Sequence, residues 1–104
     1  MADGKKYDGD KPPVWAGLVN YFPRALEAIA QVSAFGAQKY SVPFSEENWA
    51  KVDDGYDRYT SALLRHVFAE ARLEEHDLES GHLHAAHAAW DALARLELKL
   101  RGLG

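Results

Sequence analysis

The chain has 104 residues, of which 47% are hydrophobic and 12% aromatic. That is enough apolar surface for one compact domain and too much for a disordered chain. Twelve Lys plus Arg against sixteen Asp plus Glu leave a net charge of −4, which argues against a generic phosphate-backbone binder and hence against a nucleic-acid partner. The absence of cysteine removes disulfides, thiolate metal sites and cysteine nucleophiles, and suits an intracellular protein. No apolar run approaches the about 18 residues of a membrane span, and the start MADGKKYDGDK has no apolar core of a signal peptide, so no membrane partner is expected.

Residues 1–22 hold Gly4, Gly9, Gly17, Pro12 and Pro13 among lysines, aspartates and aromatics, which predicts an irregular N-terminal arm. Pro23 suits a first helical turn, and Ala25, Leu26, Ile29, Ala30, Val32, Ser33, Phe35 and Ala37 continue a helical period. Gly36 is expected to interrupt this helix close to its end, before Lys39 and Tyr40. Pro43, Gly55 and the polar residues between them predict a loop over 41–57 with one short turn of helix. From Arg58 to Arg101 there is no proline and one glycine, Gly81. The stretch reads as a helical hairpin, with one helix near 57–75, another near 82–101, and His76–Gly81 between them. The expected fold is therefore all-α: a small helical bundle over 23–104 carrying the arm, in a single domain.

The final helix holds an informative polar stripe. Taking about 100° per residue, His84, His87, Asp91 and Arg95 fall within an arc of roughly 80°. Nearly everything else from Ala85 to Leu96 is apolar, so the stripe is either the one wet edge of a buried helix or a polar site inside the bundle. The bland reading makes His87 and Asp91 an ordinary (i, i+4) pair. On the preceding helix Arg58, Arg65 and Arg72 share one face, while His66, Glu70 and Glu74 recur every four residues beside Leu63 and Val67. Carboxylates next to apolar surroundings need a partner, which can be a divalent cation or the neighbouring arginines and histidines. Glu70 and Glu74 on a solvated face is the plainer alternative.

All five histidines (His66, His76, His82, His84 and His87) lie between positions 66 and 87, together with Glu70, Glu74, Glu75, Asp77 and Glu79. A helical hairpin brings such side chains face to face, as in carboxylate-bridged metal bundles. Oxygen-rich ligation with some imidazole suits Mg2+ or Mn2+ better than zinc, and these ions act in phosphoryl chemistry. Lys5, Lys6, Lys11, Arg24 and Lys39, interleaved with Tyr7, Trp15, Tyr40 and Trp49, could meet phosphate charge and a flat base. The plainer account makes Lys5 and Lys6 a solvated terminus and lets the aromatics, Trp15 and Trp49 above all, fill a thin core. Neither GxxxxGK[ST] nor GxGxxG occurs, which excludes a Walker-type site.

The order Lys6-Tyr7-Asp8, Lys11-Pro12, Phe35-Gly36-Ala37-x-Lys39-Tyr40, Asn48-Trp49, Arg58-Tyr59 and Leu64-Arg65-His66, followed by Glu74-x-x-Asp77-x-Glu79-Ser80-Gly81 and His84-x-x-His87-Ala88, resembles the dATP/dGTP diphosphohydrolase N-terminal family. These are MazZ-type phage proteins, MazG-like nucleoside triphosphate pyrophosphatases, and the resemblance runs from Lys6 to about Arg101. It departs at two positions. Leu73 stands where a glycine is expected, which should lengthen the middle helix, and Asp91 stands where an asparagine is expected, which adds a carboxylate.

The resemblance implies hydrolysis of a nucleoside triphosphate, with dATP and dGTP the expected substrates, to monophosphate and pyrophosphate with Mg2+ or Mn2+. MazG-like enzymes hold their cations with ExxE and ExxD acids from adjacent helices; this chain offers Glu70-x-x-x-Glu74 and Glu74-x-x-Asp77. The cation shell expected from it is His66, Glu70, Glu74, Asp77, His87 and Asp91, with Glu74 and Asp77 catalytic. Lys6, Asp8, Lys11, Lys39, Arg58, Arg65 and His84 would contact substrate, and Tyr40 or Trp49 would hold the base. Two other functions stay open: a nucleotide-binding or interaction bundle without turnover, and a metal phosphohydrolase releasing tripolyphosphate. Leu93, Leu96, Leu98, Leu100 and Leu103 would form an exposed apolar patch, and MazG-like relatives are dimers or tetramers, so a homo-oligomer is expected. If the chain is phage-encoded, it would act in the host cytoplasm.

Overall fold

The computed structural model describes residues 3–104, so the first two residues of the predicted arm lie outside it. Three α-helices carry the fold: α1 (Pro23–Tyr40), α2 (Gly55–Ala71) and α3 (His84–Leu100). This is the all-α class expected from the hydrophobic periodicity. The arm contains a five-residue π-helix, Trp15–Val19, and the connection from α1 to α2 holds two 3₁₀ turns, Phe44–Glu46 and Asn48–Lys51, instead of one. No helix of the described residues is long and apolar enough to cross a membrane.

α1 starts with Pro23 in its first turn, where the missing amide is harmless. It runs through Gly36 without a break, because nothing crowds that position and one glycine costs a helix only about 1 kcal/mol. α2 and α3 run antiparallel as the main packed pair. At one end Gly55 faces Leu98, close enough that an added Cβ would sit 3.3 Å from Leu98 Cδ1. At the other end His66 meets His84 and His87. Leu98 is thereby buried, not part of the exposed leucine patch expected from its spacing. α1 is fixed to α3 by the Trp90 indole N–H, which donates to Ser33 Oγ at 2.7 Å. Trp90 also receives Trp49 and Tyr59 edge-on, with ring centroids 6.2 and 5.5 Å away.

The middle helix is shorter than the sequence suggested. α2 stops at Ala71, and Leu73 adopts the left-handed conformation, φ 69°. The Leu73 amide donates to the Glu70 carbonyl at 2.9 Å and the Glu74 amide to Ala69 at 3.0 Å. These are the two backbone bonds of a Schellman stop. Leucine thus does not prolong the helix as expected; the turn is kept and the leucine is forced into it. α3 ends with the same pair of bonds around Gly102, φ 77°, where glycine bears no steric cost.

Candidate functional site: a histidine–carboxylate cluster

Between α2 and α3 the chain makes a tight hairpin. The His84 amide donates to the Glu75 carbonyl at 2.9 Å, the Asp77 amide to His82 at 2.8 Å, and the Gly81 amide to Asp77 at 2.8 Å. Gly81 has φ 77°, a conformation that glycine adopts freely. The hairpin folds Glu74, Asp77 and Ser80 back over the first turn of α3. There they meet His84 and His87 from α3 and His66 from α2.

Two linked networks result. In the first, the ring of His84 is buried, at 4% exposure. Its Nε2 lies 2.7 Å from Glu74 Oε2, and its Nδ1 lies 2.8 Å from His66 Nδ1. In the second, Asp77 Oδ2 accepts the Ser80 amide at 2.8 Å, and Ser80 Oγ accepts the His82 amide at 3.1 Å while pairing with His87 Nε2 at 2.6 Å. Asp77 Oδ2 is also 3.9 Å from His87 Nε2. The rings of His66 and His87 stack nearly parallel, 4.6 Å apart, and join the networks. Ligand atoms of His66, Asp77 and His84 lie within 4.8 Å of one another.

The electrostatics suit a site that collects cations. Burial, followed by the neighbouring His87 and His84, lowers the His66 pKa, and burial lowers that of His87 despite Asp77. Both rings are thus biased toward the neutral form that can donate a lone pair. Burial pushes the Asp77 carboxyl up, but the Ser80 amide and hydroxyl, His87 and His66 together outweigh it and bring it below its ordinary value. Asp77 is held as a carboxylate.

The structure therefore gathers His66, Glu74, Asp77 and His87 from the expected cation shell, and adds His84, which the resemblance had placed with the substrate. Ser80 appeared in the sequence only as part of the Glu79-Ser80-Gly81 motif, with no role assigned; its position between Asp77 and His87 follows from the hairpin path. Glu70 stays exposed on α2, because the helix ends before Glu74 and the four-residue spacing no longer puts the two acids on one face. Asp91 lies one turn beyond His87 and is buried with Oδ2 unpartnered; burial, offset in part by Arg65, raises its pKa to about 7. Lys39 forms a 2.6 Å ion pair with Glu79 of the hairpin and lies over the Tyr40 ring. Arg58, Arg65, Lys6, Asp8 and Lys11 are exposed. Trp49 packs on Trp90, takes the Tyr59 hydroxyl on its carbonyl at 2.6 Å and lies under Arg101.

Comparison with known proteins agrees with the resemblance drawn from the motifs. The family model described as dATP/dGTP diphosphohydrolase, N-terminal, matches residues 1–104. A Salmonella phage PMBT28 protein named dATP/dGTP diphosphohydrolase is 38% identical over 86 residues, which are 83% of this chain and 26% of that protein. The chain thus spans about a quarter of the length of this relative. No solved structure matches it significantly. The chain belongs to the dATP/dGTP diphosphohydrolase N-terminal family.

Proposed function

We propose that this member of the dATP/dGTP diphosphohydrolase N-terminal family hydrolyses a purine deoxynucleoside triphosphate to the monophosphate and pyrophosphate, with a divalent cation at the histidine–carboxylate cluster. The observation that carries this reading is the convergence of His66, Asp77 and His84 where α2, α3 and their hairpin meet. The purine deoxynucleotide preference rests on the name of the phage relative. The donor set fits a cation: two imidazoles whose Nδ1 atoms meet across the helix pair, and a carboxylate that accepts the Ser80 amide and is held below its ordinary pKa. Held by these residues, such an ion would neutralise charge on the triphosphate and would acidify water.

The chain's own groups have separate tasks around it. Asp77 is the ionised carboxylate of the cluster, and with Glu74 it can take the proton of the attacking water. Lys39, released from Glu79, can place its ammonium on phosphate oxygens, with Arg58, Arg65, Lys6 and Lys11 as further cations for the chain of phosphates. His87, fixed by Ser80 at Nε2, walls the site through its stacking on His66. Tyr40 is exposed beside Lys39 and offers a face for the base. In this reading the protein works as a homo-oligomer in the host cytoplasm.

The test incubates the purified chain with each dNTP and NTP plus Mg2+ or Mn2+, and resolves products by anion exchange. Monophosphate with pyrophosphate is expected, fastest from dATP or dGTP and lost in a Glu74→Gln, Asp77→Asn double variant. Tripolyphosphate as product would overturn the cleavage position. Unchanged triphosphate with a folded protein would overturn catalysis by this chain.

A further inference from the structure

We infer that the imidazole pair sets the class of the cation: the centre formed by His66, His84 and Asp77 takes a first-row transition ion of the Mn2+, Co2+ or Zn2+ kind in preference to Mg2+, with Glu74 orienting His84 from outside the ligand set. This deepens the metal requirement proposed above and rests on it only in using the same site.

The argument begins at the buried ring of His84. Its Nε2 is 2.7 Å from the Glu74 carboxylate, which in the neutral imidazole fixes the proton at Nε2 and leaves the lone pair at Nδ1. A carboxylate on the remote ring nitrogen is the usual support of a ligating histidine, because it sets the tautomer, holds the ring plane and raises basicity. The freed Nδ1 does not face solvent. It points across the interface between α2 and α3 to His66 Nδ1 at 2.8 Å, with the Asp77 carboxylate within 4.8 Å of both. Two nitrogens each about 2.1 Å from one ion stand about 3.0–3.4 Å apart in octahedral or tetrahedral geometry, so the imidazole pair would open by a few tenths of an ångström to admit one.

The surrounding contacts decide which groups take part. His87 is not among the converging donors; its Nε2 is paired with Ser80 Oγ at 2.6 Å, and its ring backs His66 by stacking. Glu70 is exposed on α2. What remains is two nitrogens and one carboxylate. Mg2+ prefers oxygen, keeps much of its water and gains little from imidazole, whereas first-row transition ions gain from nitrogen ligation. An oxygen-only set would have made the opposite selection. The plainer account of the 2.8 Å contact is a histidine–histidine hydrogen bond, and it makes a different prediction, since it offers no place to an ion.

The measurement uses the whole chain stripped with a chelator, without nucleotide. Mn2+, Co2+, Zn2+ and Mg2+ are titrated separately by calorimetry, and Co2+ is also followed by its visible absorption. One ion per chain is expected, with Co2+ and Zn2+ bound at least 100-fold more tightly than Mg2+. His66→Ala and Asp77→Asn should abolish the Co2+ bands. Glu74→Gln should keep the stoichiometry and weaken binding about 10–100-fold. Circular dichroism on each variant separates lost ligands from lost fold, and because His66 is only half-buried, unlike His84, His66→Ala is the decisive one. Mg2+ binding within 100-fold of Co2+, Co2+ affinity unchanged in a folded His66→Ala variant, or no ion bound by a folded chain would each overturn the inference. Its fate is separable from that of the enzymatic reading. Tight Co2+ binding without triphosphate cleavage would remove the activity and keep the site, while cleavage supported by Mg2+ in His66→Ala would do the reverse.

Discussion

Among the described residues four non-glycine positions, Ser41, Glu47, Asp54 and Leu73, have a left-handed backbone, and Leu73 is the one with a large apolar side chain. Its side chain is 93% exposed, so it contributes almost no packing, yet its backbone is held at φ 69° by the stop of α2. A left-handed conformation costs a non-glycine residue about 1–2 kcal/mol, and glycine returns part of the gain through its freedom in the unfolded chain. Leu73→Gly should therefore stabilise the protein by about 0.5–1 kcal/mol, raising the thermal midpoint by several degrees. An unchanged or lower midpoint would show that Leu73 is covered by something in solution. Asp91 stores a different kind of cost. It is 6% exposed with Oδ2 unpartnered, and its folded pKa is about 7, against about 3.9 for a free aspartate. The fold thus favours the protonated form. Its contribution is complete below about pH 4 and is lost as pH rises through about 7, the reverse of a salt-bridged carboxylate. In chelator, Asp91→Asn should gain stability relative to the parent between pH 5 and pH 8. A difference in thermal midpoint that does not change with pH would refute this.

At the scale of the helices, the periodic signals were the readable ones. Pro23 and the apolar spacing after it marked α1, and the proline-free stretch from Arg58 marked a hairpin of two helices, because helix starts and uninterrupted runs are written in local chemistry. The end of α2 was not readable in this way. A Schellman turn is normally announced by glycine, and Leu73 hides it, so the reading carried Glu74 on along the helix and paired it with Glu70. The structure puts Glu74 on His84 instead. On α3 the stripe of His84, His87, Asp91 and Arg95 was visible, but its direction was not. A helix apolar on most of its circumference can turn its polar edge outward or inward with the same sequence. Here His84 and Asp91 are buried while Leu93, Leu96 and Leu100 are exposed, so the edge faces α2. The His66–His84 contact was beyond the sequence because it depends on the hairpin path, which backbone bonds between residues 75 and 84 determine.

With the polar edge turned inward, the molecule as a whole keeps a small core and exposes large apolar side chains. The Cα radius of gyration is 17.0 Å, with extents of 57 × 31 × 24 Å, whereas a compact chain of this length would have a radius near about 13 Å. Among the described residues no large side chain is completely buried. α2 exposes Leu64, Val67 and Phe68, and α3 exposes Leu93, Leu96 and Leu100, each set at the three- and four-residue spacing of a helix face that meets another helix. A soluble monomer rarely leaves two such stripes open, because each buried leucine contributes about 1.5–3 kcal/mol when removed from water. A second copy offers both stripes in the same geometry, and a two-fold pairing of hairpins would complete a four-helix bundle. Light scattering on the purified chain should therefore give a multiple of 11.6 kDa at micromolar concentration. Leu93→Glu with Leu96→Glu should shift it to the monomer and lower its thermal midpoint, since the stripe then stays in water and its burial no longer adds to the fold. A parent chain that scatters as a monomer, with a midpoint independent of concentration, would refute the pairing and leave those leucines exposed in the folded state.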